Sequence, residues 1–232
     1  FEYIYFARPD SFIDGISVYD SRILAGKFLA MDAPVDADLV IGVPESGNCA
    51  AMGYSMQSGI PYGMGFVKNA YVGRTFIKPK QKSRESSVQV KLNPIREAVE
   101  GKRVIMIDDS IVRGTQLRET VDFLYESGAE EVHMRSACPP IMYSCKYLNF
   151  SRGNSDMELL ARRVIQELEG DEGHKHLDEY SDSSTERGQC LLKSICEKFG
   201  FDSLGYQSLD GVLEAIGIDR DKVCTYCWNG KE

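Results

Sequence analysis

The sequence lacks the features that would place the protein in a membrane or outside the cell. No apolar run among its 232 residues approaches the roughly 20 that a membrane-spanning helix requires. The amino terminus shows no signal-peptide pattern. The seven cysteines are odd in number and scattered, unlike a disulfide framework. We therefore expect a cytoplasmic protein that keeps its thiols reduced or uses them in a metal cluster, and that does not contact membranes.

Positive charge is also scarce overall. The 27 basic and 35 acidic residues give a net charge of −8, which argues against nucleic-acid binding. Residues 68–96 are the exception, with eight basic side chains against Glu85 alone. The basic residues are Lys68, Arg74, Lys78, Lys80, Lys82, Arg84, Lys91 and Arg96. Such a segment can concentrate an anionic ligand, although a solvated lysine-rich loop is the ordinary alternative.

Two common nucleotide-binding signatures are missing, because the chain has neither a Walker loop nor a Gly-x-Gly-x-x-Gly turn after a strand. Instead, strand-like and helix-like segments alternate, which predicts an α/β fold with a mainly parallel, twisted sheet flanked by helices. The predicted strands are residues 2–7, 38–43, 103–107 and 131–137. The predicted helices are residues 16–31, 48–58, 115–126 and 157–169, with a helical extension over 191–218.

The strongest signal is a buried strand that delivers two adjacent carboxylates, Asp108 and Asp109, into a loop leading to a helix. Small and hydroxyl residues in such a loop let backbone N–H groups approach a phosphate, and the helix start favours negative charge. Two carboxylates beside it suit ribose hydroxyls or a hard divalent cation. A simple helix cap is the plainer alternative, but it accounts for one acidic residue rather than two. These residues predict a ribose-phosphate pocket.

This stretch, VIMIDDSIVRGT, resembles the phosphoribosylpyrophosphate (PRPP) motif of the type I phosphoribosyltransferases. Three further stretches are similar to the glutamine PRPP amidotransferase family. They are FEYIYFARPDS, GVPESGNCAAMGYS and GIPYGMGFVKNAYVGRTFI. The similarity runs through residue 147, and it implies a phosphoribosyltransferase core at 1–147. We interpret residues 148–190 as an acidic, mobile insertion and residues 191–232 as a helical Cys-x-x-Cys segment that completes the domain.

The resemblance implies a reaction and assigns roles to residues. PRPP and ammonia would give 5-phosphoribosylamine and pyrophosphate, the first step of de novo purine biosynthesis, in a glycosyltransferase of the pentosyltransferase class. By this resemblance the substrate contacts come from Glu45, Ser46, Gly47, Asn48, Asp108, Asp109, Ser110, Ile111, Val112, Arg113, Gly114 and Thr115. Magnesium would be held by Ser46, Asp108 and Asp109. A catalytic lid over PRPP would include Lys68, Tyr71 and Arg74.

Three cysteines match a second feature of the family. One branch holds a [4Fe–4S] cluster on four cysteines, and Cys145, Cys224 and Cys227 stand at three of those places. The fourth would precede Phe1, so we expect the intact protein to carry the cluster and this chain alone to lack it or hold it incompletely. From the residues alone, Cys-x-x-Cys also fits structural thiols, half a zinc site or a redox pair.

The resemblance also implies partners. The chain begins at Phe1 without an initiator methionine, and we expect it to be part of a longer protein whose amino-terminal glutaminase domain makes ammonia from glutamine. Purine nucleotides as inhibitors and a homo-oligomer, a tetramer in the family, are further implications. Two alternatives stay open: a nucleobase phosphoribosyltransferase, and a non-catalytic regulator that senses PRPP.

Overall fold

The computed structural model describes residues 1–68, 92–148, 150–151 and 155–231. The strands in these ranges are β1 (Phe12–Ile13), β2 (Ile16–Ser17), β3 (Leu39–Gly42), β4 (Phe66–Lys68), β5 (Leu92–Pro94), β6 (Arg103–Asp108), β7 (Glu131–Ser136) and β8 (Ser203–Tyr206). The helices are α1 (Val18–Asp32), α2 (Asn48–Ser58), α3 (Arg96–Val99), α4 (Leu117–Glu126), α5 (Leu160–Glu169), α6 (Leu177–Ser181), α7 (Glu186–Phe199), α8 (Leu209–Ile216) and α9 (Tyr226–Asn229).

A parallel sheet of strand order β3-β6-β7-β8 lies at the centre of the described residues. Strands β3 and β6 are buried on both faces, which explains their nearly continuous apolar sequence. Side chains of β6 alternate between two cores. Val104 and Met106 face helices α4, α5 and α7, whereas Ile105 and Ile107 face α1 and α2. The predicted α/β class with helices on both sides of a mainly parallel sheet is therefore confirmed.

Helices α1 and α2 cross at close range. A Cβ atom at Gly26 would overlap the carbonyl oxygen of Ala50, and one at Gly53 would overlap that of Ile23. Glycine at these two positions therefore lets the helix backbones touch. The close crossing fixes the amino end of α2, and with it the loop that precedes the helix, at the carboxyl edge of the sheet.

Two predicted elements differ from the structure. Residues 2–7 form one π-helical turn, Glu2–Phe6, rather than a strand. Its backbone bonds close locally, as in the bond from Ala7 N to Glu2 O of 2.9 Å. The helical extension predicted over 191–218 is interrupted by β8, whose four residues pair with β7. A short strand between two amphipathic helices has too few residues to show its own periodicity.

The region predicted as a mobile insertion contains helices whose apolar side chains belong to the main core. Leu160, Val164 and Ile165 of α5 are almost fully buried there, and Leu177 and Tyr180 of α6 join them. The acidic side chains that suggested a solvated segment lie mainly on the outer surface. In the described residues, no helix has the length and apolar character needed to cross a membrane.

Candidate active site at the carboxyl edge of the sheet

Asp108 and Asp109 lie where β6 ends. The carboxylate of Asp108 accepts a hydrogen bond from the backbone N–H of Asp109 at 2.9 Å, and the hydroxyl of Ser110 donates to the Asp109 carboxylate at 2.5 Å. Burial and the neighbouring carboxylate of Asp109 raise the pKa of Asp108 well above its usual range. Two carboxyl groups in this position favour a ligand that brings hydrogen-bond donors or positive charge.

The loop after these carboxylates, residues 110–116, is called the phosphate loop here. It lines a cavity of about 530 Å³ together with Val43, Leu92 and Phe150. Helix α4 begins directly after the loop, and no side chain caps its start, so its first N–H groups add to the positive end of the helix dipole. The structure thus brings residues 110–115 together around one cavity, as the sequence predicts. The guanidinium of Arg113 pairs with Glu158 at 3.0 Å, so within this loop its side chain has a protein partner.

A second loop, residues 43–48, lies beside the first. The N–H of Val43 donates to Ile107 O at 2.8 Å, which attaches this loop to the end of β6. The loop folds back on itself through a bond of 3.0 Å from Gly47 N to Val43 O, and the Pro44–Glu45 peptide is cis. A Cβ atom at Gly47 would overlap the carbonyl oxygen of Ile107. Glycine is therefore required for the two loops to lie this close.

Two further cavities connect this loop with other side chains of the site. A small cavity is lined by Ser46, Asp109 and Arg22. A larger cleft of about 480 Å³ is lined by Glu45, Ser46 and Lys68 together with Arg8 and Arg22. The three basic groups at this cleft outnumber its single carboxylate, which suits an anionic ligand such as pyrophosphate.

Arg22 is a residue that sequence reasoning missed. It is buried on α1, its Nε donates to Tyr3 O at 2.6 Å, and its Nη2 donates to Ala7 O at 2.9 Å. Burial lowers its pKa, while nearby Cys49 and Asp109 act in the opposite direction. A signal was available, because Val18, Arg22, Gly26 and Leu29 share the buried face of α1. An arginine among small and apolar residues on such a face indicates a fixed charge.

The predicted lid is described only at its start. Lys68 is the last residue of β4 and is exposed at the cleft, whereas Tyr71 and Arg74 lie outside the described residues. So does most of the basic segment, from residue 74 to residue 91. Lys68 pairs with Leu92 across the antiparallel β4–β5 ladder. The chain therefore leaves the described structure and returns to it at adjacent points beside the site.

The three cysteines of the predicted cluster lie in segments that meet. Cys227 is buried, and its carbonyl accepts hydrogen bonds from Met142 N and Tyr143 N at 2.9 and 3.0 Å, just before Cys145. Burial raises the pKa of Cys227 to about 12, with smaller effects from the amino group of Phe1, which lowers it, and from Cys145 and Cys224. Among the described residues, no three His, Cys, Asp or Glu side chains are grouped so as to hold a metal ion. Cys49 and Cys138 are buried among apolar side chains.

No model of a protein family matches the chain. Individual relatives do, and they match along its full length. The amidophosphoribosyltransferase of Mycobacterium tuberculosis is 46% identical over 232 residues, which are 100% of this chain and 40% of that protein. The amidophosphoribosyltransferase of Methanothermobacter thermautotrophicus is 44% identical over 230 residues, 99% of this chain and 43% of that protein. The predicted limit of similarity at residue 147 is therefore wrong, because the match continues through the acidic region.

Solved structures give the same result. Glutamine PRPP amidotransferase from B. subtilis, complexed with ADP and GMP, superposes with a TM-score of 0.78 at 43% identity, covering 99% of this chain and 45% of that one. The chain thus spans less than half the length of the relatives it matches. The sheet, the loop after Asp108 and Asp109 and the whole-length identity lead to one conclusion: the chain matches, from end to end, the type I phosphoribosyltransferase domain of the amidophosphoribosyltransferases.

Proposed function

We propose that the protein containing this chain is an amidophosphoribosyltransferase, which converts PRPP and ammonia to 5-phosphoribosylamine and pyrophosphate in the first step of de novo purine synthesis. The observation that carries the proposal is the hydrogen bond from Val43 N to Ile107 O, 2.8 Å. It sets the loop of residues 43–48 beside the carboxylates that precede the phosphate loop. Two anion-binding loops on either side of paired carboxylates match the two charged ends of PRPP and the hydroxyl groups between them.

Each part of the site has one task. Backbone N–H groups of residues 110–115 in the phosphate loop bind the 5-phosphate, and the carboxylates of Asp108 and Asp109 accept hydrogen bonds from the ribose hydroxyls. Residues 45–48 bind the pyrophosphate group. Lys68, with Tyr71 and Arg74 from the lid, covers this group and excludes water from the reacting carbon.

The reaction exchanges one bond at the anomeric carbon. The bond from C1 to the pyrophosphate oxygen breaks, its electron pair leaves with pyrophosphate, and the lone pair of ammonia forms the new C1–N bond. The ammonium product then releases one proton to water. Positive charge develops on the ribose ring, so the adjacent carboxylates and the fixed position of both anionic groups lower the barrier. Neutral ammonia is already a nucleophile, and no general base is required.

We further propose magnesium as a cofactor of this site. The candidate ligands are the hydroxyl of Ser46 and the carboxylates of Asp108 and Asp109, all oxygen donors of the type that magnesium prefers. Magnesium sites of this kind use one or two carboxylates and complete the shell with water and substrate phosphate. Magnesium bound with PRPP supplies positive charge that offsets the charge of the leaving pyrophosphate.

The remaining proposals concern the longer protein. Thiolates of Cys145, Cys224 and Cys227 suit a [4Fe–4S] cluster, with a fourth cysteine from outside this chain. A glutaminase domain would supply the ammonia, giving a glutamine amidotransferase. Purine nucleotides would compete with PRPP, in keeping with the ADP and GMP bound in the B. subtilis relative. We expect a homo-oligomer in the cytoplasm, where the cysteines outside the cluster stay reduced.

The decisive test measures pyrophosphate release by the full-length protein from PRPP with ammonia, with glutamine, or with free nucleobases. We expect release with ammonia and with glutamine and none with nucleobases. Release only with a nucleobase would assign a nucleobase phosphoribosyltransferase instead. Tight PRPP binding without release under any condition would indicate a non-catalytic sensor. Iron analysis and the visible absorbance of the same preparation, compared with a Cys145→Ser variant, test the cluster separately.

A further inference from the structure

The phosphate loop is held from its outer side by the segment that leads into α5. The N–H of Leu160 donates to Val112 O at 2.8 Å, and Nη2 of Arg163 donates to Arg113 O at 2.6 Å. The other terminal nitrogen of Arg163, Nη1, donates to Glu158 O at 2.7 Å. One guanidinium therefore joins the phosphate loop to the turn before α5.

Side-chain contacts support the same arrangement. The carboxylate of Glu158 pairs with the guanidinium of Arg113 at 3.0 Å. Gly114 has a φ of +68°, and a Cβ atom there would lie 3.0 Å from the ring of Phe199 and 3.1 Å from Leu160. The loop backbone thus lies close to α5 and α7, and a Cβ atom at Gly114 would require Phe199 or Leu160 to shift.

We propose that Arg163 is a positioning residue for the phosphoribosyl site, a role that rests on the proposed function. A trans peptide unit is planar, and its C=O and N–H point in opposite directions. When Arg163 holds Arg113 O towards α5, the N–H of Gly114 points the other way, to the side of the cavity that the loop lines. The bond from Leu160 N to Val112 O orients the N–H of Arg113 in the same manner. The positive charge of Arg163 behind the loop also favours a bound dianion.

This role predicts an effect on binding of the 5-phosphate half of the substrate and none on binding of the pyrophosphate half. Arg163 contacts the loop assigned to the 5-phosphate, and the loop of residues 43–48, assigned to pyrophosphate, is attached to β6 instead. Loss of the Arg163 bonds is therefore expected to weaken ribose 5-phosphate binding and to leave pyrophosphate binding unchanged. A general loss of folding would weaken both.

The test uses Arg163→Met in the full-length protein, with Arg162→Met as the matched control. Arg162 is the adjacent residue of α5 and is also half-buried, but it donates to His174 and Met142 O, away from the phosphate loop. Calorimetric titrations with ribose 5-phosphate and with magnesium pyrophosphate give the two dissociation constants. For Arg163→Met we expect the ribose 5-phosphate constant to rise about tenfold, the loss of one charge-assisted hydrogen bond, and the KM for PRPP to follow. The control is expected to match the unaltered protein.

Three outcomes would overturn the proposal. They are an unchanged ribose 5-phosphate constant in Arg163→Met, an equal loss for both ligands, and an equal loss in the Arg162 control. Arg163→Gln, which keeps an amide donor without the charge or the fork, is measured in parallel should the methionine variant not fold. An unchanged ribose 5-phosphate constant in that variant also contradicts the proposal. If the unaltered protein binds neither ribose 5-phosphate nor PRPP, the proposed function itself fails, whatever the variants do.

Discussion

Aspartates lie at both ends of strand β6, but the pKa of Asp38 beside the amino end is lowered and that of Asp108 at the carboxyl end is raised. At its amino end, Arg103 forms ion pairs with Asp36 at 2.7 Å and with Asp38 at 2.9 Å. Hydrogen bonds from Arg103 lower the pKa of Asp38 to about 2. At its carboxyl end, burial and Asp109 raise the pKa of Asp108. Aspartates near the amino end are matched to a protein cation, whereas those at the carboxyl end are left for a ligand.

The two ends of this six-residue strand therefore have different expected roles: the amino end contributes to stability, and the carboxyl end contributes to ligand binding. The amino-end pairs are largely exposed, and ion pairs of that kind contribute little to stability. The ionised form of Asp108 costs free energy in the unliganded protein, since burial and the neighbouring Asp109 disfavour it. A ligand that supplies hydrogen-bond donors or positive charge stabilises the ionised carboxylate when it binds. We therefore expect the carboxyl end of β6 to be the active one.

The largest expected effect comes from neutralising one aspartate at each end. Asp108→Asn removes the acceptor proposed for the ribose hydroxyls, and we expect kcat/KM for the proposed ammonia-dependent reaction to fall about 100-fold or more, since charged hydrogen bonds of this type contribute up to about 3 kcal/mol. Asp38→Asn should leave kcat/KM unchanged. Steady-state pyrophosphate release measures both. Near-normal activity in Asp108→Asn, or equal losses in both variants, would contradict the comparison.

The next largest effect is expected from alanine substitution of a glycine near each end of β6. Gly47→Ala places a Cβ atom against Ile107 O, so the loop of residues 43–48 must shift, and we expect roughly tenfold weaker pyrophosphate binding, about 1.4 kcal/mol. Gly101→Ala, just before β6, meets no atom within 4 Å but has a φ of +69°. It should cost about 1 kcal/mol of stability and leave pyrophosphate binding intact. Titration calorimetry and thermal unfolding separate the two results.

Asp108→Asn is expected to lower activity but to raise the stability of the unliganded protein. Because the folded protein raises the pKa of this carboxyl above the unfolded value of 3.8, the folded state holds the proton more tightly. Its free energy of unfolding therefore falls as pH rises from 3.8 towards the folded pKa. Asp108→Asn removes this fall, and we expect a melting temperature about 2–4 °C higher at neutral pH, as for a gain of about 1 kcal/mol.

Differential scanning calorimetry with a chelator present, between pH 4 and pH 8, measures this effect. A melting temperature lower than that of the unaltered protein at neutral pH would show that the Asp108 carboxylate stabilises the unliganded protein. The electrostatic contrast between the two ends would then be incorrect.

The smallest effect is expected at the amino end. The lowered pKa of Asp38 stabilises the folded protein at pH values above 3.8, and this contribution is lost as the pH falls to about 2. Arg103→Met should therefore reduce stability slightly at neutral pH, flatten the acid limb of the stability profile and leave activity unchanged. Urea unfolding midpoints between pH 2 and pH 7 provide the measurement. A loss of activity in this variant would link the two ends of the strand.

Much of the site could be predicted from sequence because its signals are local. A buried strand, two carboxylates and a small-residue loop occupy consecutive positions, so Asp108 to Thr115 could be identified without knowledge of tertiary contacts. Arg163 could not, because it acts through a backbone carbonyl that every residue possesses, 50 positions away in the chain. Strand β8 was not predicted for a related reason: its place is set by pairing with β7 rather than by its own four residues.

The same distinction explains the acidic region. Its charge pattern indicated a solvated segment, whereas the apolar residues at positions 160, 161, 164 and 165 form the buried stripe of the helix that was predicted over 157–169. Burial of that stripe depends on an apolar face of the sheet, which composition alone does not reveal. The whole-length match to relatives agrees with the packing, because the region aligns with the rest of the chain.

The contact of Gly114 with Leu160 and Phe199 has a consequence for the order of folding. Strands β3, β6 and β7 can associate once residues 39–136 are available, whereas the phosphate loop acquires its final shape only when α5 and α7 dock. Contacts between residues distant in the chain form late, since closing a long loop costs entropy before any contact repays it. We therefore expect partly folded chains to possess the sheet without the phosphate site. Added substrate is then expected to slow the unfolding of folded molecules. It should leave the rate at which the sheet forms during refolding unchanged.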